Sequence, residues 1–315
     1  MKCLRGEAGE LLAAADGNFA VRASVCMVGM TYKRSLRMIV AICAVTLIAS
    51  SAWAEENARW HEDFAAAKQA AASSDRPILA AFHSVGCGPC ARMEDETLGD
   101  PRVTAVIAER FEAVRVNAIQ QPDLATEYLV SFYPTVKFLD ARGEAVHDTQ
   151  GFVEASKFLS VMDHALDAHA ALQRARSAAD AAEGPGNAES ALAIARDFHA
   201  ARQYQQAARW ARAAVELAEQ ESARRAEAQY ILGAALTDAG EPGQAQQPLV
   251  DALKVADGAG WQWDARLKLG YVWLQRGEGD SGIGMLQTVH ASEEASAEVK
   301  AEAARLLRWW GVAVD

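Results

Sequence analysis

The strongest constraint on the fold of this chain is a pair of cysteines, Cys87 and Cys90, between a predicted strand and a predicted helix. Residues 76–82 (RPILAAF) are a short apolar run after a turn, which is typical of a buried strand. A helical pattern begins at the pair, so the sulfur of Cys87 lies at a helix N-terminus, where unpaired N–H groups and the helix dipole stabilise a thiolate. Pro89 suits the first helical turn, because its missing N–H costs nothing there. This order favours thiol exchange, with Cys87 as the nucleophile and Cys90 as the resolving residue.

An export signal is predicted near the start of the chain. Residues 30–54 contain a basic segment at 33–37 and an apolar core at 38–49, and they end in Ala-Trp-Ala, the small-x-small pattern of a cleavage site. The apolar core is short for a membrane span, which needs about 20 residues. We therefore expect residues 1–54 to be an N-terminal extension and signal peptide, cleaved after Ala54, and the mature protein to be exported to the periplasm. The alternative is an uncleaved N-terminal anchor.

Cysteine count and charge exclude two classes of protein. Of five cysteines, only Cys87 and Cys90 would remain after cleavage, whereas a scaffold stapled by disulfides would show several pairs. Cleavage would also remove six basic and three acidic residues, which takes the net charge from -11 to -14. A chain with this acidic surplus has no surplus of basic residues to displace phosphate counterions, so nucleic acid is not an expected partner.

Helical and strand patterns alternate over the first half of the mature chain, which predicts a layered α/β domain over residues 55–170. Helices are predicted at 60–74, at 90–111 with a break at 99–101, at 122–130 and at 154–172. Strands are predicted at 76–82 and 112–118, and a hairpin at 134–151 that turns at 141–143. A loop at 183–187 then separates this domain from an Ala-rich, all-helical region over 185–315.

The all-helical region is internally repetitive. Similar blocks begin at Ile194, Leu232 and Leu269, which are 38 and then 37 residues apart. Each block continues with a bulky residue, then a turn between helices, then a small residue. The bulky residues are Phe198, Leu236 and Trp273. The turns are at Arg202, Gly240 and Gly277, and the small residues are Ala207, Ala245 and Gly282. Small residues let paired helices approach while bulky ones fill the groove. The blocks resemble tetratricopeptide repeats, capped by a helix at 297–310, which implies a peptide ligand for the repeats.

A lone Cys-x-x-Cys sequence is also half of a zinc site, so a metal is the alternative to redox chemistry. Structural zinc needs four ligands, and neither a second such pair nor a histidine pair at ligand spacing is found in the sequence. His83 with Cys87 and Cys90 could form a soft copper site, which remains open as an alternative. We predict no metal and no cofactor.

A second motif supports the redox interpretation. In FYPTVKF, Tyr133 and Pro134 directly precede a predicted strand. With CGPC upstream, the domain resembles thioredoxin, and it looks most like the exported thioredoxin-like group that includes the C-terminal domain of thiol–disulfide interchange proteins. The resemblance implies that Pro134 is cis and abuts the cysteine pair, and that Tyr133, Pro134, Gly88 and Pro89 contact the substrate. It also implies disulfide exchange with protein thiols and disulfides, without a cofactor, served by a membrane-bound or soluble electron donor or acceptor.

The chain departs from thioredoxin at positions that affect proton transfer. The buried acid that thioredoxin carries six residues before the first cysteine is Ala81 here, and the lysine that pairs with that acid is Arg115. Where thioredoxin has an aromatic residue just before the motif, this chain has Gly86, and at the earlier aromatic position it has His83. Loss of the proton from Cys90 must therefore use water, Glu94 or His83, and the sequence leaves that choice open.

Three functions are compatible with these patterns. The first is an exported thiol–disulfide oxidoreductase with a helical module that binds its partners. The second is a binding protein in which the repeats do the work and the thioredoxin fold is a scaffold, although a scaffold has no physical need for a reactive pair. The third is a copper-handling protein.

Overall fold

The computed structural model describes residues 60–314, with the exception of 183, 185, 221 and 257. The predicted extension and signal peptide (1–54) lie outside the described residues. The described chain is an α/β domain followed by an all-helical region, as the sequence predicts. Within it, helices of the length and apolar character needed to cross a membrane are not found.

Within the described residues the α/β part contains a π-helix at Glu94–Leu98, which continues the helix at Gly88–Met93, together with five strands and five α-helices. They run in the order β1 Trp60–His61, α1 Phe64–Ser74, β2 Ile78–His83, α2 Gly88–Met93, α3 Pro101–Arg110, β3 Glu112–Asn117, α4 Pro122–Glu127, β4 Thr135–Leu139, β5 Ala145–Gln150 and α5 Ala155–Ala181. The strands form one sheet in the order β1-β3-β2-β4-β5. Strands β1, β3 and β2 are parallel, and β4 and β5 are antiparallel to their neighbours. This arrangement puts β2, which leads to the cysteine pair, at the centre of the sheet.

Helices cover both faces of the sheet. Strand β2 is buried from Ile78 to Phe82, which explains its continuous apolar run. One face packs against α1 and α4 in a cluster that includes Ala71, Phe82 and Tyr128. The other face packs against α2, α3 and α5 in a cluster that includes Met93. The helix that carries the cysteines is therefore fixed to the sheet through its far end.

The structure corrects three predicted boundaries. Trp60 and His61 form a short strand paired with β3, and the first helix begins only at Phe64, because the side chain of Asp63 accepts a hydrogen bond from the N–H of Ala66 (2.8 Å) and caps it. Helix α4 ends at Glu127 instead of 130. Helix α5 continues to Ala181 instead of ending at 172, because its second half is buried by the next helix.

The all-helical region contains seven further helices within the described residues. They are α6 Ala188–Ala200, α7 Tyr204–Leu217, α8 Ala223–Asp238, α9 Pro242–Leu253, α10 Gln262–Gln275, α11 Gly279–Ala291 and α12 Ala297–Trp309. Short turns join α6 to α7, α8 to α9 and α10 to α11. A Cβ atom on Gly233 of α8 would lie 2.5 Å from Cγ of Leu249 in α9, and one on Gly270 of α10 would lie 3.0 Å from Cγ of Leu286 in α11. A Cβ atom on Gly282, the small residue of the third block, would lie 2.7 Å from Cγ of Leu274 in α10, so glycines stand where these paired helices come closest.

Helix α5 joins the two parts through a continuous core. Phe158 and Met162 in its first half, and Leu172 and Ala175 in its second half, are fully buried in one cluster that contains residues of the sheet and of α6. Arg174 of the same helix donates to Asp197 of α6 at 2.7 Å. The described part of the chain has no gap in its core where the predicted domains meet.

Candidate functional site

Cys87 and Cys90 form a disulfide at the start of helix α2, with their Cα atoms 5.2 Å apart. Cys87 is the N-cap residue of the helix, and its carbonyl oxygen accepts from the N–H groups of Cys90 and Ala91, each at 3.1 Å. Its sulfur accepts from the N–H of Cys90 at 3.2 Å. The sulfur of Cys87 therefore lies where backbone donors and the helix dipole favour a negative charge.

A short loop brings the chain from the centre of the sheet to this helix. Strand β2 ends at His83, and Gly86 turns the chain with a φ of 75°, a conformation that favours glycine. Pro89 lies in the first turn of α2 and the helix runs on into a buried end at Met93. Both cysteines are partly exposed, while Gly88 and Pro89 are exposed. The pair is thus presented at the surface by a buried strand and an anchored helix.

An open cavity of about 680 Å³ lies beside the disulfide. Its walls include both cysteines, Gly88 and three titratable side chains, His83, Glu94 and Arg115. Gly86 also lines the cavity. Since Gly86 and His83 stand at the two positions where the resemblance leads one to expect aromatic residues, their smaller size is consistent with the open space beside the sulfurs.

Two of the residues that line the cavity, Arg115 and Glu94, form a charged pair. Nε of Arg115 donates to both carboxylate oxygens of Glu94, each at 3.1 Å, and Nη2 of Arg115 donates to the same carboxylate. Cζ of Arg115 lies 3.6 Å from the centroid of the Trp60 ring, which is a cation–π contact. In the β2–β3 pair, Arg115 stands opposite Ala81. The acid that pairs with the β3 cation is therefore supplied by the helix that carries the cysteines instead of by the strand.

Tyr133 and Pro134 lie at the neighbouring strand end. The peptide bond between them is cis, Pro134 is buried and Tyr133 is partly exposed. Thr135 pairs with Phe82 in the β2–β4 ladder, which places Pro134 beside the end of β2 from which the cysteine loop departs. Among the described residues that line the cavity, however, neither Tyr133 nor Pro134 is present.

Two large apolar side chains near the pair were not singled out from the sequence. Val85, two residues before Cys87, is 80% exposed, and Phe132, two residues before Pro134, is 59% exposed. Each of them stands two residues before one of the two motifs, in the loop that leads to it. Their signal in the sequence was only their position beside the two motifs.

His83 does not complete a metal site with the two cysteines in the described part of the chain. In the part of the chain that the structure describes, no group of three or more His, Cys, Asp or Glu side chains is placed to hold a metal ion. The copper interpretation, which needs His83 with both cysteines, therefore gains no ligand geometry there.

Comparison with known proteins agrees with this geometry. Residues 64–166 match the family described as thioredoxin-like domain. The chain is 26% identical over 98 residues to a thioredoxin-like protein of Synechocystis, covering 31% of this chain and 90% of that protein. It is 31% identical over 94 residues to a thioredoxin of Griffithsia pacifica, covering 30% of this chain and 83% of that protein.

A third relative is the thiol:disulfide interchange protein DsbD of Photorhabdus laumondii, which is 27% identical over 97 residues. The match covers 29% of this chain but only 17% of that protein. The three relatives match about a third of this chain or less, so they bear on the α/β domain and not on the whole protein.

Proposed function

The chain belongs to the thioredoxin family, and on this premise we propose that it is an exported thiol–disulfide oxidoreductase that exchanges disulfides with protein partners through Cys87 and Cys90. The observation that carries the proposal is the position of the pair. A bonded Cys87–Cys90 pair stands at a helix N-terminus, partly exposed, beside an open cavity that contains a carboxylate. Dithiol exchange needs this combination of an activated sulfur, a second sulfur in reach and access for a partner.

The exchange proceeds in two displacements. In the reducing direction, the Cys87 thiolate attacks one sulfur of a partner disulfide, which forms a mixed disulfide and releases the other partner sulfur as a thiolate that takes a proton. Cys90 then loses its proton, attacks the sulfur of Cys87 and releases the second partner thiol. Two electrons pass from the cysteine pair to the partner, and a second protein, membrane-bound or soluble, returns them. The same steps in reverse oxidise a partner.

Glu94 is the group that takes the proton from Cys90. It follows Cys90 by one helical turn, and it lines the same cavity. Arg115 fixes its carboxylate from the sheet side, and Trp60 stacks on the guanidinium. His83 lines the cavity without any such hydrogen bond to orient it among the described residues. A positioned acceptor speeds a proton transfer more than a mobile one.

The partner binds across the two loops that border the pair. Gly88 and Pro89 are exposed beside Cys87, and Tyr133 with Pro134 forms the end of the neighbouring strand. Phe132 adds apolar surface on this side. We expect an extended partner segment to hydrogen bond to the backbone of Tyr133 and to pack its apolar side chains on this surface.

The helical region supplies a second contact with partners. Its three helix pairs and the close glycine contacts in the second and third pairs support a tetratricopeptide-like array, and such arrays bind peptides. Export follows from the predicted cleavage after Ala54, which lies outside the described residues. N-terminal sequencing of the mature protein should find Glu55 first, whereas an intact segment 30–54 on a membrane-bound form would show an anchor instead.

Trapping experiments test the assignment of the two sulfurs. Cys90→Ser should hold partners covalently at Cys87, because a serine hydroxyl cannot displace the partner sulfur. Cys87→Ser should trap little, because Cys90 is farther from the positive end of the helix. Both variants would be purified from the exported compartment and run on non-reducing gels, with insulin reduction by dithiothreitol as the activity assay. Equal trapping by both variants, or no trapping together with no activity, would contradict the proposal. Either result would favour the alternative in which the thioredoxin fold is a scaffold for the repeats.

A further inference from the structure

The three turns inside the helix pairs have the same hydrogen bonds. In each, the residue after the turn position donates to a carbonyl five residues earlier, which is the mark of a Schellman motif. These bonds are Gln203 to Phe198 (2.9 Å), Glu241 to Leu236 (2.8 Å) and Glu278 to Trp273 (2.8 Å). The turn position itself is left-handed in all three, with φ values of 60°, 79° and 83° at Arg202, Gly240 and Gly277.

Arg202 is therefore the exception among equivalent positions. Glycine occupies the left-handed position without steric cost, whereas a side chain there is strained. The second and third pairs use glycine, and the first uses a residue with a long side chain. A strained residue persists only where its surroundings hold it in place.

The side chain of Arg202 reaches the α/β domain. Its Nη1 donates to Asp148 of strand β5, whose other carboxylate oxygen accepts from Lys137 of β4 at 2.9 Å. Nε of Arg202 donates to the hydroxyl of Tyr204 at 3.3 Å. Burial alone raises the pKa of Asp148, but the hydrogen bonds from Lys137 and Arg202 hold that pKa below its ordinary value. The carboxylate is thus shared by two cations, one from each part of the protein.

The neighbouring residue makes a second contact with the same strand. Nε2 of Gln203 donates to the carbonyl oxygen of Ala145 at 3.2 Å. Strand β5 is at the edge of the sheet, so its outer backbone groups have no strand to pair with. Beyond Asp148 the strand leads to Gly151, whose N–H donates to the carbonyl oxygen of Pro134 at 2.7 Å. The same short segment therefore contacts the first helix pair at one end and the cis-proline loop at the other.

We propose that Arg202 is a clamp that fastens the first helix pair to edge strand β5, so that the sheet edge supporting the Pro134 loop is braced by the helical array. The clamp accounts for a strained residue at a position where the other two turns use glycine. It does not depend on the redox function, because it concerns the packing of the two parts and not the cysteines.

Replacement of Arg202 by glycine tests the clamp, because the clamp and a simple turn predict different changes in the melting temperature. R202G removes the strain and restores the residue that the other turns use, so a residue serving only the turn would leave the melting temperature unchanged or raise it. For the clamp we expect a melting temperature lower by at least about 2 °C. Hydrogen exchange, followed by mass spectrometry on the whole chain, should show faster exchange of the β5 amides at 145–150. R202G with β5 exchange unchanged overturns the proposal, whatever its melting temperature.

Two further variants make the result specific. G240A puts a side chain at the equivalent left-handed position of the second pair, so it should lower the melting temperature and leave β5 exchange unchanged. D148N removes the negative charge and one of the two acceptor oxygens, and its effect on β5 exchange should be smaller in the R202G background than alone. Equal effects of D148N in both backgrounds would show that Lys137 alone holds the aspartate, which also overturns the clamp.

Discussion

The carboxylate of Glu94 and the guanidinium of Arg115 form a charged pair among the residues that line the disulfide cavity, with both carboxylate oxygens 3.1 Å from Nε of the arginine. One partner comes from the helix that carries the cysteines and the other from strand β3. Trp60 of β1 covers the guanidinium on one face. This arrangement places an acid in the cavity that Cys90 also lines, in a chain that has Ala81 at the sheet position for that acid.

We predict that Glu94→Gln slows the second displacement and leaves the first unchanged. Glutamine keeps the shape and the contact with Arg115 but accepts no proton, so removal of the positioned acceptor should slow resolution on the order of 10-fold or more. Stopped-flow reduction of a model disulfide would show the mixed disulfide accumulating. Glu96→Gln is the matched control, because Glu96 is exposed and pairs with Arg92 at 3.0 Å. Equal rates in wild type and E94Q would assign the proton to water or His83.

Part of this site was predictable from the sequence and part was not. The cysteine pair, the helix start and the Tyr133–Pro134 loop have local signals, because each depends on residues adjacent in the chain. The contact of Trp60 with Arg115 joins residues that are far apart in the chain, and the helical spacing after Trp60 concealed the short strand that places it. Glu94 appeared only as one of three alternatives, because its pairing with Arg115 depends on how α2 lies on the sheet.

We predict opposite effects for two glycine-to-alanine changes in the helical region. In Gly233→Ala the new Cβ would lie 2.5 Å from Cγ and 3.2 Å from the backbone nitrogen of Leu249, so α8 and α9 must separate and the protein should lose about 1–3 kcal/mol of unfolding free energy. Gly284→Ala meets no atom within 4 Å, and the gain in helix propensity should stabilise the protein by about 0.5–1 kcal/mol. Urea unfolding measures both. A neutral G233A would contradict the close packing of this pair.

Stability should fall as the pH drops below neutrality. Burial lowers the pKa of His147, and the charge of Arg202 lowers it further; burial also lowers the pKa of His169. The unfolded chain therefore binds these protons more readily, so the stabilisation is complete above the ordinary histidine pKa of about 6.5 and is lost as the pH falls toward the lower folded values. Urea unfolding at pH 7.5 and 5.5 should show this loss. In H147Q/H169Q the difference between the two pH values should shrink, and an undiminished difference would exclude these histidines as its source.

The turn at Arg202 also shows what a repeat pattern can and cannot predict. The sequence predicts a turn at this position from its equivalence to Gly240 and Gly277, and the three turns do share their hydrogen bonds. The pattern gives no reason for an arginine there. That reason lies in Asp148, which is distant in the chain and carries no signal that it faces a helix pair. The sequence predicted features that depend on neighbouring residues, but it did not predict contacts between the α/β domain and the helical region.

The helical region should fold as a separate fragment, but its stability should depend on where the fragment begins. The sequence predicts an array starting at 185, whereas α5 packs on α6, and Leu172 and Ala175 in its second half are fully buried in the core that the two helices share. A fragment 168–315 keeps these contacts, and burial of Leu172 alone contributes about 1.5–3 kcal/mol. We expect it to melt roughly 5–10 °C higher than 185–315 when followed by circular dichroism.

Two substitutions in the longer fragment assign the difference to this contact. Leu172→Ala should remove most of the gain, because it leaves a cavity between α5 and α6. Ser177→Ala, at an exposed position of the same helix, should leave the melting temperature within about a degree, since surface changes away from specific contacts rarely matter. If the two fragments melt together, the loop at 183–187 is a true domain boundary and α5 belongs to the sheet alone. If neither fragment melts cooperatively, the array depends on the α/β domain for its fold.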